Sequence, residues 1–211
     1  MRYDIILSLA GILIFLIFGL SAMQVVLSRI HLLFGLLWLR ITGKIRIAAR
    51  GWGFFLGNTR SPKIDFAVFA GSAVYLVKLC GVYRTYTTML VRNPKSWQFT
   101  RPKMFSLLKE QHSHAVVLRF DLKNMLQHVS GFSQMEGLEI LPVVLFSPPP
   151  KEILVQSETD TQQVLNGDKL YQDLMFTVRG FCRRLQQTEK LSETEAAKQL
   201  RADISRALRE Q

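Results

Sequence analysis

Two residues in the middle of the chain, Asp65 and Lys78, have the types and spacing that metal-assisted chemistry uses. They lie in IDFAVFAGSAVYLVKLC, residues 64–80, which reads as two β-strands joined by a turn at Gly71 and Ser72. A carboxylate supplies oxygen ligands to a divalent cation, and a lysine orients or activates the attacking water. An acid and a lysine on neighbouring strands therefore raise the question of a hydrolytic site.

Both residues, and the nearby Cys80, also have structural interpretations. An ammonium two residues away lowers the pKa of a thiol, so Cys80 is a candidate nucleophile. Nucleophilic catalysis also needs a base, and no histidine is close in the sequence. We therefore favour a buried core cysteine, and an ion pair of Asp65 with Lys78 across adjacent strands.

The histidines are the other candidate metal ligands. His112 and His114 lie beside Glu110 in the sequence, and His128 follows further along. An i, i+2 pair shares one face only on a strand, and a protein metal site needs a third and usually a fourth ligand. We predict no metal site and no cofactor.

A basic stretch with interleaved aromatic residues, 84–105, has the composition of a surface that contacts nucleic acid or anionic lipid. The cations predicted to make that contact are Arg84, Arg92, Arg101 and Lys103. We favour the interpretation that these cations face water or anionic lipid and that the aromatic residues are core.

The N-terminal sequence from Ile5 to Ser28 contains no charged residue. As a helix it would extend about 36 Å, enough to cross a hydrocarbon core about 30 Å thick. A cleaved signal peptide fits less well, because Asp4 offsets Arg2 and no clear small-residue cleavage site follows. We predict a retained transmembrane anchor.

Positive charge follows this run at once. Residues 23–63 contain seven Lys and Arg and no acid, within a chain of net charge +11. The positive-inside rule then places the N-terminus outside and the rest of the chain in the cytoplasm. Two distant cysteines, Cys80 and Cys182, form no disulfide framework and agree with a reducing compartment.

Residues 29–57 combine Leu, Phe and Trp with spaced cations. Such a segment suits a helix in the headgroup layer of the cell membrane, and it equally suits the packed first helix of the soluble domain. The residues predicted to lie at the membrane interface are Trp38, Arg40, Lys44, Arg46 and Arg50.

The remainder of the chain predicts an α/β domain. Short strands are indicated at 83–91, 96–102, 138–150 and 151–156, a helix or strand at 115–129, and a helix at 169–185. A capping box at Ser192 and Glu195 opens a last helix. Its narrow apolar seam, Ala197, Leu200, Ile204 and Ala207, is expected to dock on the domain or contact a protein partner.

The order of these elements over roughly residues 60–184 resembles the NERD domain, a nuclease-related module of the PD-(D/E)XK class. The resemblance implies a restriction-endonuclease-like mixed sheet flanked by helices, with Asp65 as the metal-binding acid. Lys78 then stands at the family's Glu position and Cys80 at its Lys position. The Glu that family members carry upstream has no counterpart, because residues 43–63 contain no acid. The resemblance thus implies the fold of a nuclease without most of its catalytic groups.

Four segments follow from these observations: a transmembrane anchor at 1–28, a basic juxtamembrane segment at 29–57, the nuclease-related domain at 58–185 and an amphipathic helix at 186–211. We expect a single-pass protein at the cytoplasmic membrane face that binds or scaffolds without catalysis. The alternatives are a divergent nuclease that combines Asp65 with Glu110 or Asp121, and a protein that binds nucleic acid without cleaving it. The expected partners are the lipid bilayer and, through the last helix, another protein.

Overall fold

The computed structural model describes residues 23–49, 64–81, 88–93, 96–100, 114–116, 139–156, 161–171, 173–189 and 195–210. Its helices are α1 (Met23–Ile41), α2 (Val178–Gln187) and α3 (Glu195–Glu210). Its strands are β1 (Ile45–Ala49), β2 (Phe66–Ala70), β3 (Ala73–Cys80), β4 (Thr88–Asn93), β5 (Ser96–Thr100), β6 (His114–Val116), β7 (Glu139–Phe146), β8 (Glu152–Gln156), β9 (Thr161–Gln163), β10 (Lys169–Leu170) and β11 (Asp173–Thr177).

The fold is α/β, as the sequence predicts, and its main sheet is mixed. The strand order is β1-β2-β3-β7-β11-β10, with β3, β7 and β11 parallel and the remaining pairs antiparallel. The predicted β2–β3 hairpin is confirmed, and Gly71 in its turn has φ of 56°, a backbone conformation that favours glycine. Strands β3 and β7 are buried over most of their length, as expected of parallel strands covered on both faces.

A second sheet has the order β6-β5-β4-β8-β9, with β4 and β8 parallel. The predicted strands around residues 83–91, 96–102 and 151–156 are confirmed as β4, β5 and β8. Met89 and Val91 of β4 pack against Val144 and Phe146 of β7, which joins the second sheet to the first.

Helices cover both faces of the main sheet. On one face, α1 and α2 share a core with the odd-numbered residues of β3, such as Tyr75 and Val77. On the other face, α3 lies over β1 and β2 and shares a core with Val74 and Leu76 of β3. The predicted seam of α3, Ala197, Leu200, Ile204 and Ala207, is 0–8% exposed, so of the two expectations the structure shows docking on the domain.

The helix predicted at 169–185 is wrong over its first half. Residues 169–170 and 173–177 are strands β10 and β11, and helix α2 begins only at Val178. A short apolar run such as Leu174–Phe176 fits a buried strand as well as a helix, and here pairing with β7 decides between them. Thr177 ends the strand and caps α2, accepting a hydrogen bond from the Gly180 N–H.

The predicted segment boundaries also differ from the elements. Helix α1 runs continuously across the boundary at 28/29, and β1 makes residues 45–49 an edge strand of the main sheet. The domain therefore includes residues well before 58. Of the predicted span at 5–28, only residues 23–28 are described, and α1 is the helix in the described ranges that is long and apolar enough to cross a membrane.

Candidate functional site

Asp65 and Lys78 form a salt bridge, as the structural interpretation of the sequence predicts. The register that pairs Phe66 with Val77 places Asp65 opposite Lys78, and the Asp65 N–H donates to the Val77 carbonyl at 3.0 Å. The Lys78 Nζ lies 3.2 Å from Asp65 Oδ2, and the two side chains are 2% and 12% exposed. The pair is therefore a largely desolvated cross-strand contact.

The same carboxylate oxygen is bound by the main chain. The Leu79 N–H donates to Asp65 Oδ2 at 2.7 Å. Burial raises the pKa of Asp65 above its usual 3.8, although Lys78, the Leu79 N–H and Arg29 each act to lower it. One oxygen of this carboxylate is thus committed to contacts within the protein.

Cys80 is a buried core residue, as favoured from the sequence. Its side chain is 0% exposed and packs in the cluster that joins the two sheets. Burial raises the pKa of the Cys80 thiol to about 12, and this effect outweighs the opposing influence of Lys78 and Arg29. The thiol is protonated at neutral pH, which opposes the nucleophile interpretation.

Three further polar residues lie at the same end of the main sheet. The parallel strands β3 and β7 end side by side, and the Ser147 N–H donates to the Cys80 carbonyl at 2.8 Å. The hydroxyl groups of Ser28 and Ser147 form a hydrogen bond, with their oxygens 2.8 Å apart. A Cβ built on Gly81 would lie 3.5 Å from Arg29 Nη2, so the guanidinium lies against the end of β3.

We call these six residues the polar cluster: Ser28, Arg29, Asp65, Lys78, Cys80 and Ser147. Within the described ranges, the fully buried polar or charged residues are Arg29, Lys78 and Ser147, and all of them belong to it. The cluster contains two cations and one acid, so its electrostatics favour anions over cations.

A divalent cation finds a poor site in the polar cluster. Metal-assisted hydrolysis commonly uses two carboxylates on the metal, whereas the polar cluster contains one, Asp65, with the Lys78 ammonium 3.2 Å from it. The described part of the chain contains no group of three His, Cys, Asp or Glu side chains that could hold a metal. Of the other candidates, Glu110, His112, Asp121 and His128 lie outside the described residues, and His114 begins β6.

The predicted contact residues of the basic stretch are only partly described. Arg92 is an exposed residue of β4, whereas Arg84, Arg101 and Lys103 lie outside the described residues. The choice between nucleic acid and lipid therefore stays a prediction.

The predicted membrane-interface residues do not all behave alike. Trp38 is 64% exposed on α1, and Arg40 and Arg46 are exposed as well. Lys44 instead donates from its Nζ to the Gln186 carbonyl at 2.5 Å, where it interacts favourably with the C-terminal end of α2. Arg50 lies outside the described residues.

Sequence reasoning missed Ser28, Arg29 and Ser147 as members of the polar cluster. Arg29 is the first residue of the basic segment 29–57, for which the sequence leaves a membrane-interface helix and a packed first helix as alternatives. A signal was present in the helical spacing, since Arg29 shares a face with Leu32 and Leu36, which are buried in the core.

No protein-family model, curated protein or solved structure matches the chain.

Proposed function

We propose that the chain is a single-pass membrane protein whose cytoplasmic domain has a nuclease-related fold and acts in binding or scaffolding without hydrolysis. The observation that carries this proposal is the use of Asp65. The one acid retained from the resembled motif is neutralised by Lys78 at 3.2 Å and held by the Leu79 N–H. A carboxylate held in these contacts is a poor ligand for a metal ion.

The arrangement of the strands supports the nuclease-related part of the proposal. The motif places its acid and its lysine on adjacent strands, and here Asp65 directly precedes β2 while Lys78 and Cys80 lie on β3. A nuclease-like frame with substitutions at two of its motif positions would have this placement, and we propose that such a frame no longer holds a metal.

The sequence around α1 supports the membrane part. Residues 5–22 form an uncharged run that as a helix would extend about 27 Å, close to the thickness of a bilayer core. The seven cations and no acid of residues 23–63 favour a cytoplasmic position for everything that follows.

Metal-dependent DNA cleavage tests the proposal. The full chain, purified in lipid nanodiscs, is incubated with supercoiled and single-stranded DNA in Mg²⁺ and in Mn²⁺, beside Asp65→Asn. The fragment from residue 58 onward is unsuitable, because α1 and β1 belong to the domain core. We expect no metal-dependent cleavage by either protein. Cleavage that follows the folded wild-type protein through purification and is lost in Asp65→Asn would refute the proposal.

A further inference from the structure

Helix α1 presents an apolar face to the outside of the protein. The side chains of Val26, Ile30, Phe34, Leu37, Trp38 and Ile41 are between 40% and 72% exposed. They recur at spacings of three and four residues, so they form one continuous stripe along the helix. We call this stripe the outer face of α1.

Rotation of α1 about its axis cannot bury the outer face without exposing residues of the core. The opposite side of α1 carries Leu32, Leu36 and Leu39, which are 1–2% exposed and belong to the core shared with β2 and β3. Rotation about the helix axis would expose these leucines and remove Arg29 from the polar cluster. The orientation of α1 is therefore fixed by packing, and among the described residues its outer face stays exposed.

The charge and composition of the outer face and its surroundings favour contact with an anionic lipid surface. Exposed Arg40 lies beside the last turn of the stripe, and no acid occurs anywhere in residues 23–63. Cations of this kind are attracted to anionic headgroups, and Trp and Phe are favoured at the boundary between headgroups and acyl chains. The uncharged run at 5–22 directly precedes α1 and brings the helix to the bilayer surface.

A transmembrane position for α1 conflicts with its packing. Only residues 42–44 separate α1 from β1, the edge strand next to β2. Burying α1 in the hydrocarbon would take β1 with it, including the exposed Arg46. A helix that is packed on one side and apolar on the other suits the plane of the interface instead.

We infer that α1 lies in the interfacial layer of an anionic bilayer, held between the lipid and the main sheet. The membrane crossing ends near residue 22, and the domain rests on the membrane through its α1 side, with α3 on the far side of the sheet. This inference rests on the proposed membrane anchoring and adds the surface and orientation of the contact.

Tryptophan quenching by brominated lipids measures this orientation. The full chain with Trp52→Phe and Trp97→Phe retains Trp38 as its sole tryptophan and is reconstituted in vesicles that contain anionic lipid. The outer face is expected about 5–10 Å below the headgroup boundary. Trp38 fluorescence should therefore fall at least about twofold with lipids brominated high on the acyl chain, and less with lipids brominated near its end.

A tryptophan on the other side of the sheet is the matched control. Arg206 is exposed on α3. Arg206→Trp is therefore introduced into a chain in which Trp38, Trp52 and Trp97 are all replaced by phenylalanine. The fluorescence of this tryptophan should be quenched by aqueous acrylamide and not by brominated lipid. Flotation of the same samples separates the two proposals, since a chain that fails to float with vesicles refutes the anchoring itself.

Three results with floating protein would overturn the inference. Trp38 quenched by acrylamide and by no lipid would place the outer face in water. A mid-helix tryptophan, Ile30→Trp in a chain that lacks Trp38, Trp52 and Trp97, would place α1 across the bilayer if bromine at the chain end quenched it most strongly. Protection of Trp38 from both quenchers would show that protein, such as a second copy of the chain, covers the outer face.

Discussion

Asp65 and Lys78 show how a residue pair with catalytic types serves a structural role. Both side chains are nearly removed from water, so each charge depends on the other for compensation. The sequence predicted this pair, because cross-strand contact follows from the hairpin register alone. It could not predict Arg29 beside them, since that contact depends on how α1 packs across the end of β3.

Removing one charge of the pair should cost more than removing both. Asp65→Asn leaves the buried Lys78 ammonium uncompensated, and we expect the free energy of unfolding to fall by about 3 kcal/mol. Adding Lys78→Met should restore part of this loss, because no charge then remains buried. Denaturant unfolding of the four proteins in detergent measures the cycle, and additive losses in the double variant would contradict the expectation.

Asp173 should make stability depend on pH. Burial raises its pKa from 3.8 to about 6, so the folded state holds this proton more tightly than the unfolded state. The contribution of Asp173 to stability is then greatest below about pH 4, falls as pH rises to about 6 and is level above, with a total change of about 1–3 kcal/mol. Asp173→Asn should remove this part of the dependence.

The melting temperatures of the wild-type protein and of Asp173→Asn are measured at pH 4.5 and at pH 7. Asp65 also has a raised pKa and acts in the same direction, so the difference between wild type and variant isolates Asp173. Equal pH slopes in the two proteins would show that Asp173 does not titrate as its burial requires.

At the scale of elements, α1 has features of both alternatives that the sequence left open, a helix in the headgroup layer and a packed first helix of the domain. It is the packed first helix of the domain through Leu32, Leu36 and Leu39, and it keeps an apolar face outside through residues such as Phe34 and Trp38. Periodicity alone could not divide these roles, because both sides of the helix are apolar. The docking side of α3 was easier to predict, because its apolar residues form one narrow seam.

The contact between α1 and α2 depends on the glycine at position 35. A Cβ built there would lie 2.7 Å from Cys182 Sγ, closer than atoms in contact allow. Alanine normally favours a helix over glycine by about 1 kcal/mol, but here we expect Gly35→Ala to lower the free energy of unfolding by about 1–3 kcal/mol.

Shortening the facing side chain is the control. Cys182→Ala removes the sulfur, so Gly35→Ala combined with Cys182→Ala should recover most of the loss. Chemical denaturation in detergent compares the single and double variants. A stabilising Gly35→Ala would show that the two helices are further apart than the structure places them.

For the whole molecule, local sequence patterns predicted most strands but did not predict the parallel pairing of β3 with β7. Glycine and proline turns bounded β2, β3, β7 and β8, so these strands were found from the sequence. The parallel pairing of β3 with β7 joins segments far apart in the chain, and no local signal specifies it. That pairing brings Ser147 to the end of β3 and completes the polar cluster.

We propose that this fold keeps a nuclease-like frame without its metal, and Mn²⁺ binding tests that proposal most directly. Bound Mn²⁺ is measured by electron paramagnetic resonance on the full chain in nanodiscs of neutral lipid, beside Asp65→Asn. Since Lys78 neutralises the only acid of the polar cluster, we predict no Mn²⁺ bound at the cluster and equal signals from the two proteins. Mn²⁺ bound by the wild-type protein and lost in a folded Asp65→Asn would contradict the account.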